Sequence, residues 1–156
     1  MNRIYCAIGK IVEVTQFIEV RLGDICEKSE IIKEFSRHAR MTKEAYAQIE
    51  GDAAYIKDKM LTMTFGAMIG VIYESKSLSY DETTELKTLL EKRNYFTHEY
   101  FKYTHFGITP DESFILEEFS ALKEYLSKLK QMLNRLLLIK NSQIERLNYL
   151  TSKAGF

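Results

Sequence analysis

Apolar residues recur along this chain at the alternating four-and-three spacing of a helical seam. Ile4, Ile8, Ile11, Ile18, Leu22 and Ile25 hold that register with only Thr15 polar among them, which predicts one long N-terminal helix. Residues 27–48 are more polar, yet Ile31, Phe35, Ala45 and Tyr46 still allow helix, with an interruption near Arg40, Met41 and Thr42. Gly51 and Asp52 read as the clearest break. Beyond them Ile56, Met60, Met63, Met68, Val71 and Ile72 make a broad apolar face. The stretch from Met60 to Tyr73 is apolar enough for a core helix and too short, at about 14 residues against roughly 20, for a membrane span. Gly66 and Gly70 stand one turn apart in it, a spacing that admits close packing of another helix.

The next two starts are written in capping chemistry. Ser79-Tyr80-Asp81-Glu82 has the serine and the glutamate three positions on that make a capping box, opening a helix through Leu86, Leu89 and Leu90. Thr109-Pro110-Asp111-Glu112 puts the only proline at a first helical position. Behind it Ile115, Phe119, Leu122, Leu126, Leu129, Leu133 and Leu136 keep the seam, and Lys140 and Gln143 interrupt it. One proline and seven glycines in 156 residues are too few for a protein of many strands and turns. The expected architecture is a single all-α domain over 1–156, a four- or five-helix up-down bundle. Leu137, Leu138, Ile139 and Ile144 widen the apolar face of the last helix beyond one seam, which points to a homodimer.

Charge and cysteine usage narrow the function classes. Lysine plus arginine and aspartate plus glutamate both number 22, so no global field draws the chain to nucleic acid or to a membrane, and any such contact is local. Cys6 and Cys26 form no CxxC pair and sit with no clustered histidines, so neither a structural zinc site nor any other metal or cofactor is expected. With no apolar segment before a small-residue cleavage site at the N-terminus, the expected setting is cytoplasmic, with reduced thiols.

One stretch stands apart from ordinary bundle sequence: Arg93-Asn94-Tyr95-Phe96-Thr97-His98-Glu99-Tyr100. In an ideal helix Asn94 and His98 are four apart and face one another, so the amide would fix the imidazole tautomer. Arg93 and His98 are five apart, about 500° of turn, and diverge by about 140°. Three arrangements reconcile them: a long arginine reaching round, a distorted helix, or pairs from two subunits meeting across a dimer axis. An arginine and a histidine brought together are the parts needed to handle a phosphodiester, the first holding phosphate and the second moving protons.

The pattern R-N-x-x-x-H-x-Y resembles the signature of the HEPN family, small all-helical domains of bacterial toxin–antitoxin and defence systems. The tyrosine narrows the likeness to the HEPN toxins partnered with minimal nucleotidyltransferase antitoxins. The specific match covers Arg93 to Tyr100. The resemblance implies a homodimeric, metal-independent endoribonuclease. In it Arg93 and His98 are the active pair and Asn94 supports them, with the substrate 2′-hydroxyl attacking phosphorus to leave a 2′,3′-cyclic phosphate and a free 5′-hydroxyl. It further implies that Tyr100 is where a nucleotidyltransferase-type antitoxin attaches AMP, placing an anion beside Arg93.

Lys92 and Lys102 are the nearest cations for an RNA substrate, with Arg37, Arg40 and Lys43 joining them only if folding brings them near; no aromatic pattern reads as a single-strand stacking platform. Each residue also has an ordinary structural reading. His98 would be an imidazole bonded within the aromatic cluster of Tyr95, Phe96, Tyr100 and Phe101, Arg93 a surface partner of Glu91 or Glu99, Tyr100 a core-edge phenol, and His105 and His38 loop and surface histidines. Two rival functions remain open beside the toxin: a non-catalytic HEPN-fold module binding nucleotide, RNA or a partner protein, and a defence nuclease without an AMP-adding partner.

Overall fold

A computed structural model describes residues 2–99 and 112–156, and among these the chain is all-helical: α1 (Asn2–Arg37), α2 (Lys43–Leu61), α3 (Phe65–Ser75), α4 (Tyr80–Asn94), a π turn (Tyr95–Glu99) and α5 (Glu112–Ala154). The helices form a bundle around one main core. No described helix is long and apolar enough to cross a membrane.

The seam of α1 is buried as its spacing requires, with Ile11, Ile18, Leu22 and Ile25 sealed from solvent. Thr15 keeps the register because its hydroxyl donates to the Ile11 carbonyl at 2.8 Å, so burial leaves no orphan donor. The helix runs well past Ile25 and ends at Arg37, and the interruption near Arg40 is a real break closed by the Thr42 cap of α2. Gly51 and Asp52, by contrast, lie inside α2. Ile49 and Ala53 on either side of them are buried in a second, smaller cluster with Ile31, Met41 and Leu147, and that burial carries the helix through the glycine.

The stretch from Met60 to Tyr73 is likewise not one helix. Thr62 closes α2 and Thr64, its hydroxyl accepting from the Ala67 amide, opens α3, so Met60 and Met68 enter the core from different elements. Of the paired glycines, Gly66 packs against Leu90 and Gly70 faces open space. The closer approach is at Gly23 of α1, where an added Cβ would lie 3.4 Å from the Lys57 side chain. The capping box at Ser79 forms in both directions, Glu82 N–H to Ser79 Oγ at 3.2 Å and Ser79 N–H to Glu82 Oε2 at 2.9 Å. The cap expected at Thr109 and Pro110 lies outside the described residues.

Helix α5 meets α1 along most of its length. Leu122, Leu129, Met132 and Leu136 are buried, and the seam then turns polar without leaving the interface. Lys140 donates to Asp24 at 2.7 Å, and Gln143 donates to Ser29 Oγ at 2.8 Å and to the Ile25 carbonyl at 3.3 Å. These two residues, expected to interrupt the register, continue it, because α1 offers matching polar partners. Their ascending pairing also shows that α1 and α5 run parallel. Contacts of Glu85 with Arg135 and of Leu89 with Tyr125 show α4 antiparallel to α5. Leu137 and Leu138 stay on the outside, 39% and 69% exposed.

Candidate active site

The site begins where α4 stops being an α-helix. Phe96 continues the buried line of Leu86 and Leu89, and it packs its ring 5.3 Å from that of Tyr125 on α5. The Tyr125 hydroxyl donates to the Leu89 carbonyl at 2.6 Å, pinning the last turn of α4 to α5. Between these anchors the backbone widens into the π turn Tyr95–Glu99. Thr97 Oγ1 donates to the Arg93 carbonyl at 2.8 Å, giving that carbonyl a partner where the backbone ladder changes its step.

A π turn bonds residue i to i+5, so it lowers the rotation per residue and draws together side chains five apart. Most of the path from Arg93 to His98 runs through it, and the divergence of about 140° in an ideal helix shrinks accordingly. Of the three arrangements open to the sequence, the helix distortion is present, and within one chain His98 borders a depression that Arg93 does not line.

The same distortion changes the role of Asn94. Its Oδ1 accepts a hydrogen bond from Arg93 Nη1 at 3.2 Å, so the amide braces the guanidinium and not the imidazole, whose four-residue register with Asn94 is lost in the widened turn. Asn94 and His98 still share one open depression with Glu91 and Tyr95. His98 is exposed at its edge, and of the aromatic cluster expected around it Tyr100 and Phe101 lie outside the described residues.

Arg93 does not line that depression, and its charge acts on Glu19 of α1 and Tyr125 of α5. Its Nε is buried without a hydrogen-bond partner. Burial pushes the Glu19 carboxyl of α1 above the usual carboxylate range, and the Arg93 charge pulls it partly back. Burial raises the Tyr125 phenol in the same way, again against the pull of Arg93. Tyr125, whose ring packs on Phe96, is thus a member of this site that the sequence did not announce, since it looks like one more position along a long helix.

Lys92 is exposed and lines a groove on the α5 side, beside Tyr95, Phe96, Glu124 and Lys128. Lys102, Tyr100 and His105 lie outside the described residues. Arg37 is at the far end of α1, 18 residues from Glu19 or roughly 27 Å along the helix, and is paired with Glu34, so the basic cluster of Arg37, Arg40 and Lys43 does not join the site. His38 is exposed, its Nδ1 2.8 Å from the Glu34 carbonyl. No group of three or more metal-ligating side chains occurs among the described residues. Both cysteines are free, Cys6 exposed and Cys26 buried, with burial pushing the Cys26 thiol up. Comparison of the chain with protein-family models, with curated proteins and with solved structures finds no match in any of the three.

Proposed function

We propose that this chain is a HEPN-type, metal-independent endoribonuclease acting as the toxin of a toxin–antitoxin or defence system in the cytoplasm. The observation that carries the reading is the π turn that follows Arg93 and Asn94 and holds His98, together with the bond from Arg93 to Asn94, which borders the same depression as His98. π turns are rare and concentrate at functional sites. Here the turn leaves an imidazole at the edge of an open depression and a guanidinium one residue away from that depression's wall.

In this reading His98 takes the proton of the substrate 2′-hydroxyl as base, or returns a proton to the leaving 5′-oxygen as acid. The 2′-oxygen bonds to phosphorus as the bond to the 5′-oxygen breaks, giving a 2′,3′-cyclic phosphate and a 5′-hydroxyl. Arg93 meets the charge that builds on the phosphoryl oxygens, with Asn94 holding the guanidinium in place. The active form is a homodimer, for which the exposed Leu137 and Leu138 offer an apolar face. The partner that silences it is a nucleotidyltransferase-type antitoxin that adds AMP to Tyr100.

A second reading, a binding module without cleavage, is favoured by one observation: Arg93 has its Nε buried without a partner and does not line the depression that His98 borders. The two readings separate on whether a substrate phosphate draws that guanidinium outward. Purified protein incubated with total RNA in EDTA is expected to cut it, and His98→Ala is expected to cut it far more slowly. Intact RNA with folded, AMP-free wild type favours the module instead.

A further inference from the structure

Beside the His98 depression runs a second one, a groove of about 380 Å³ between the π turn and α5. The two share Glu91 and Tyr95 as a common wall, so they form one continuous surface. The groove has the anatomy of a ligand site, an apolar floor with a few polar groups at the rim, and its volume falls in the range of small-ligand pockets. Phe96 and Tyr125 make the floor and are buried.

Tyr95 stands over that floor with 45% of its surface exposed. Its ring meets Phe96 edge-on at 5.3 Å, and Phe96 in turn packs on Tyr125 at 5.3 Å. An exposed ring braced by two buried ones is already ordered, so a planar partner stacks on it with little entropy left to lose. Glu91 lies four residues before Tyr95, which on a helix puts its carboxylate beside that ring on the same face. A base lying on the ring therefore has its edge next to an acceptor-only group, suited to the amino groups of cytosine, adenine or guanine. Of the two lysines at the rim, Lys128 is hydrogen-bonded by Glu124 at 2.7 Å, while Lys92 feels the Glu124 charge less and is the cation for a phosphate.

We propose that this groove is a nucleotide subsite for the residue flanking the scissile phosphate: its base stacks on Tyr95, an amine-bearing base donates to Glu91, and its phosphate meets Lys92. The inference rests on the reading of the neighbouring depression as RNA-directed, and it adds a base preference to that reading. Sequence inspection could not find this platform, because Tyr125 joins Tyr95 and Phe96 from 29 residues beyond Phe96.

The test is binding of fluorescein-labelled oligo(A), oligo(C) and oligo(U) to the His98→Ala protein, beside cleavage of the same RNAs by protein with native His98. Oligo(A) and oligo(C) are expected to bind several-fold tighter than oligo(U). Tyr95→Ala is expected to weaken all three about tenfold, as the loss of one stacked base does, while Glu91→Gln removes the preference for amine-bearing bases. Circular dichroism on each variant separates these effects from misfolding. Should folded Tyr95→Ala bind and cut as its parent does, the subsite is refuted and the nuclease reading stands. Should the wild type cut nothing while Tyr95-dependent binding persists, the subsite stands and the nuclease reading falls.

Discussion

Arg93→Ala and His98→Ala are each expected to slow single-turnover cleavage of RNA in EDTA by about 10²- to 10⁴-fold, the range for removing a general acid–base group or a donor to developing charge. The double variant is expected to be little slower than the worse of the two. In the proposed mechanism both side chains act on one phosphodiester in one step, and groups that work as a unit lose most of their effect with the first deletion. Arg93→Lys is expected to fall between wild type and Arg93→Ala. A lysine keeps the charge and lacks the planar fork that allows one nitrogen to bond Asn94 while others face a phosphate. Fully multiplicative losses in the double variant would show the two residues acting independently and would count against a shared site.

The second large effect concerns what holds the bundle together. Asp24, with only 8% of its side chain exposed, receives Lys57 at 2.8 Å, Lys140 at 2.7 Å and Arg21 at 3.0 Å, so one carboxylate ties α1 to both α2 and α5. Burial alone would push this carboxyl up; the hydrogen bonds and charges of Lys140 and Lys57 outweigh it and hold it at about 2, against an ordinary 3.8. A carboxyl whose pKa is lowered by folding contributes stability above its unfolded value, and loses it as pH falls through its folded value. Wild-type stability is therefore expected to decline between about pH 4 and pH 2, and Asp24→Asn is expected to show a flatter profile there.

At neutral pH the same substitution removes the anion that Lys57 and Lys140 share, leaving Lys57 only the longer contact with Glu27 at 3.4 Å. Breaking a buried pair costs about 3–5 kcal/mol, and with both lysines partly exposed about 2–3 kcal/mol is expected here. Urea unfolding at pH 7 and pH 3 measures both effects. Equal stability of the two proteins at pH 7 would show that the cluster is surface decoration.

Much of this architecture is legible in the sequence, and the reasons differ from element to element. The seams of α1 and α5 are visible because a four-and-three apolar spacing over many turns has no other economical burial. The Ser79 cap is visible because its two hydrogen bonds are local in sequence. Gly51 misleads, since a glycine inside a helix is tolerated when its neighbours are buried, and burial is a tertiary fact. Thr62 and Thr64 mislead in the opposite direction, their capping role masked by the apolar residues around them. Lys140 and Gln143 look like an end to the seam because their partners, Asp24, Ile25 and Ser29, lie more than a hundred residues away.

The candidate site divides along the same line. Arg93, Asn94 and His98 stand out by type and spacing, and their arrangement does not, since it depends on a π turn set by the packing of Phe96 on Tyr125. Asn94 consequently serves the arginine, and Tyr125 enters from a helix whose own sequence gives no sign of it.

The most direct test of the account is the chemistry of the ends left on RNA by the purified wild-type protein in EDTA. The account predicts 2′,3′-cyclic phosphate at one end and 5′-hydroxyl at the other, because the substrate supplies its own nucleophile and no metal-activated water takes part. Fragments carrying 3′-hydroxyl and 5′-phosphate ends, or cleavage that vanishes on chelation, would contradict it.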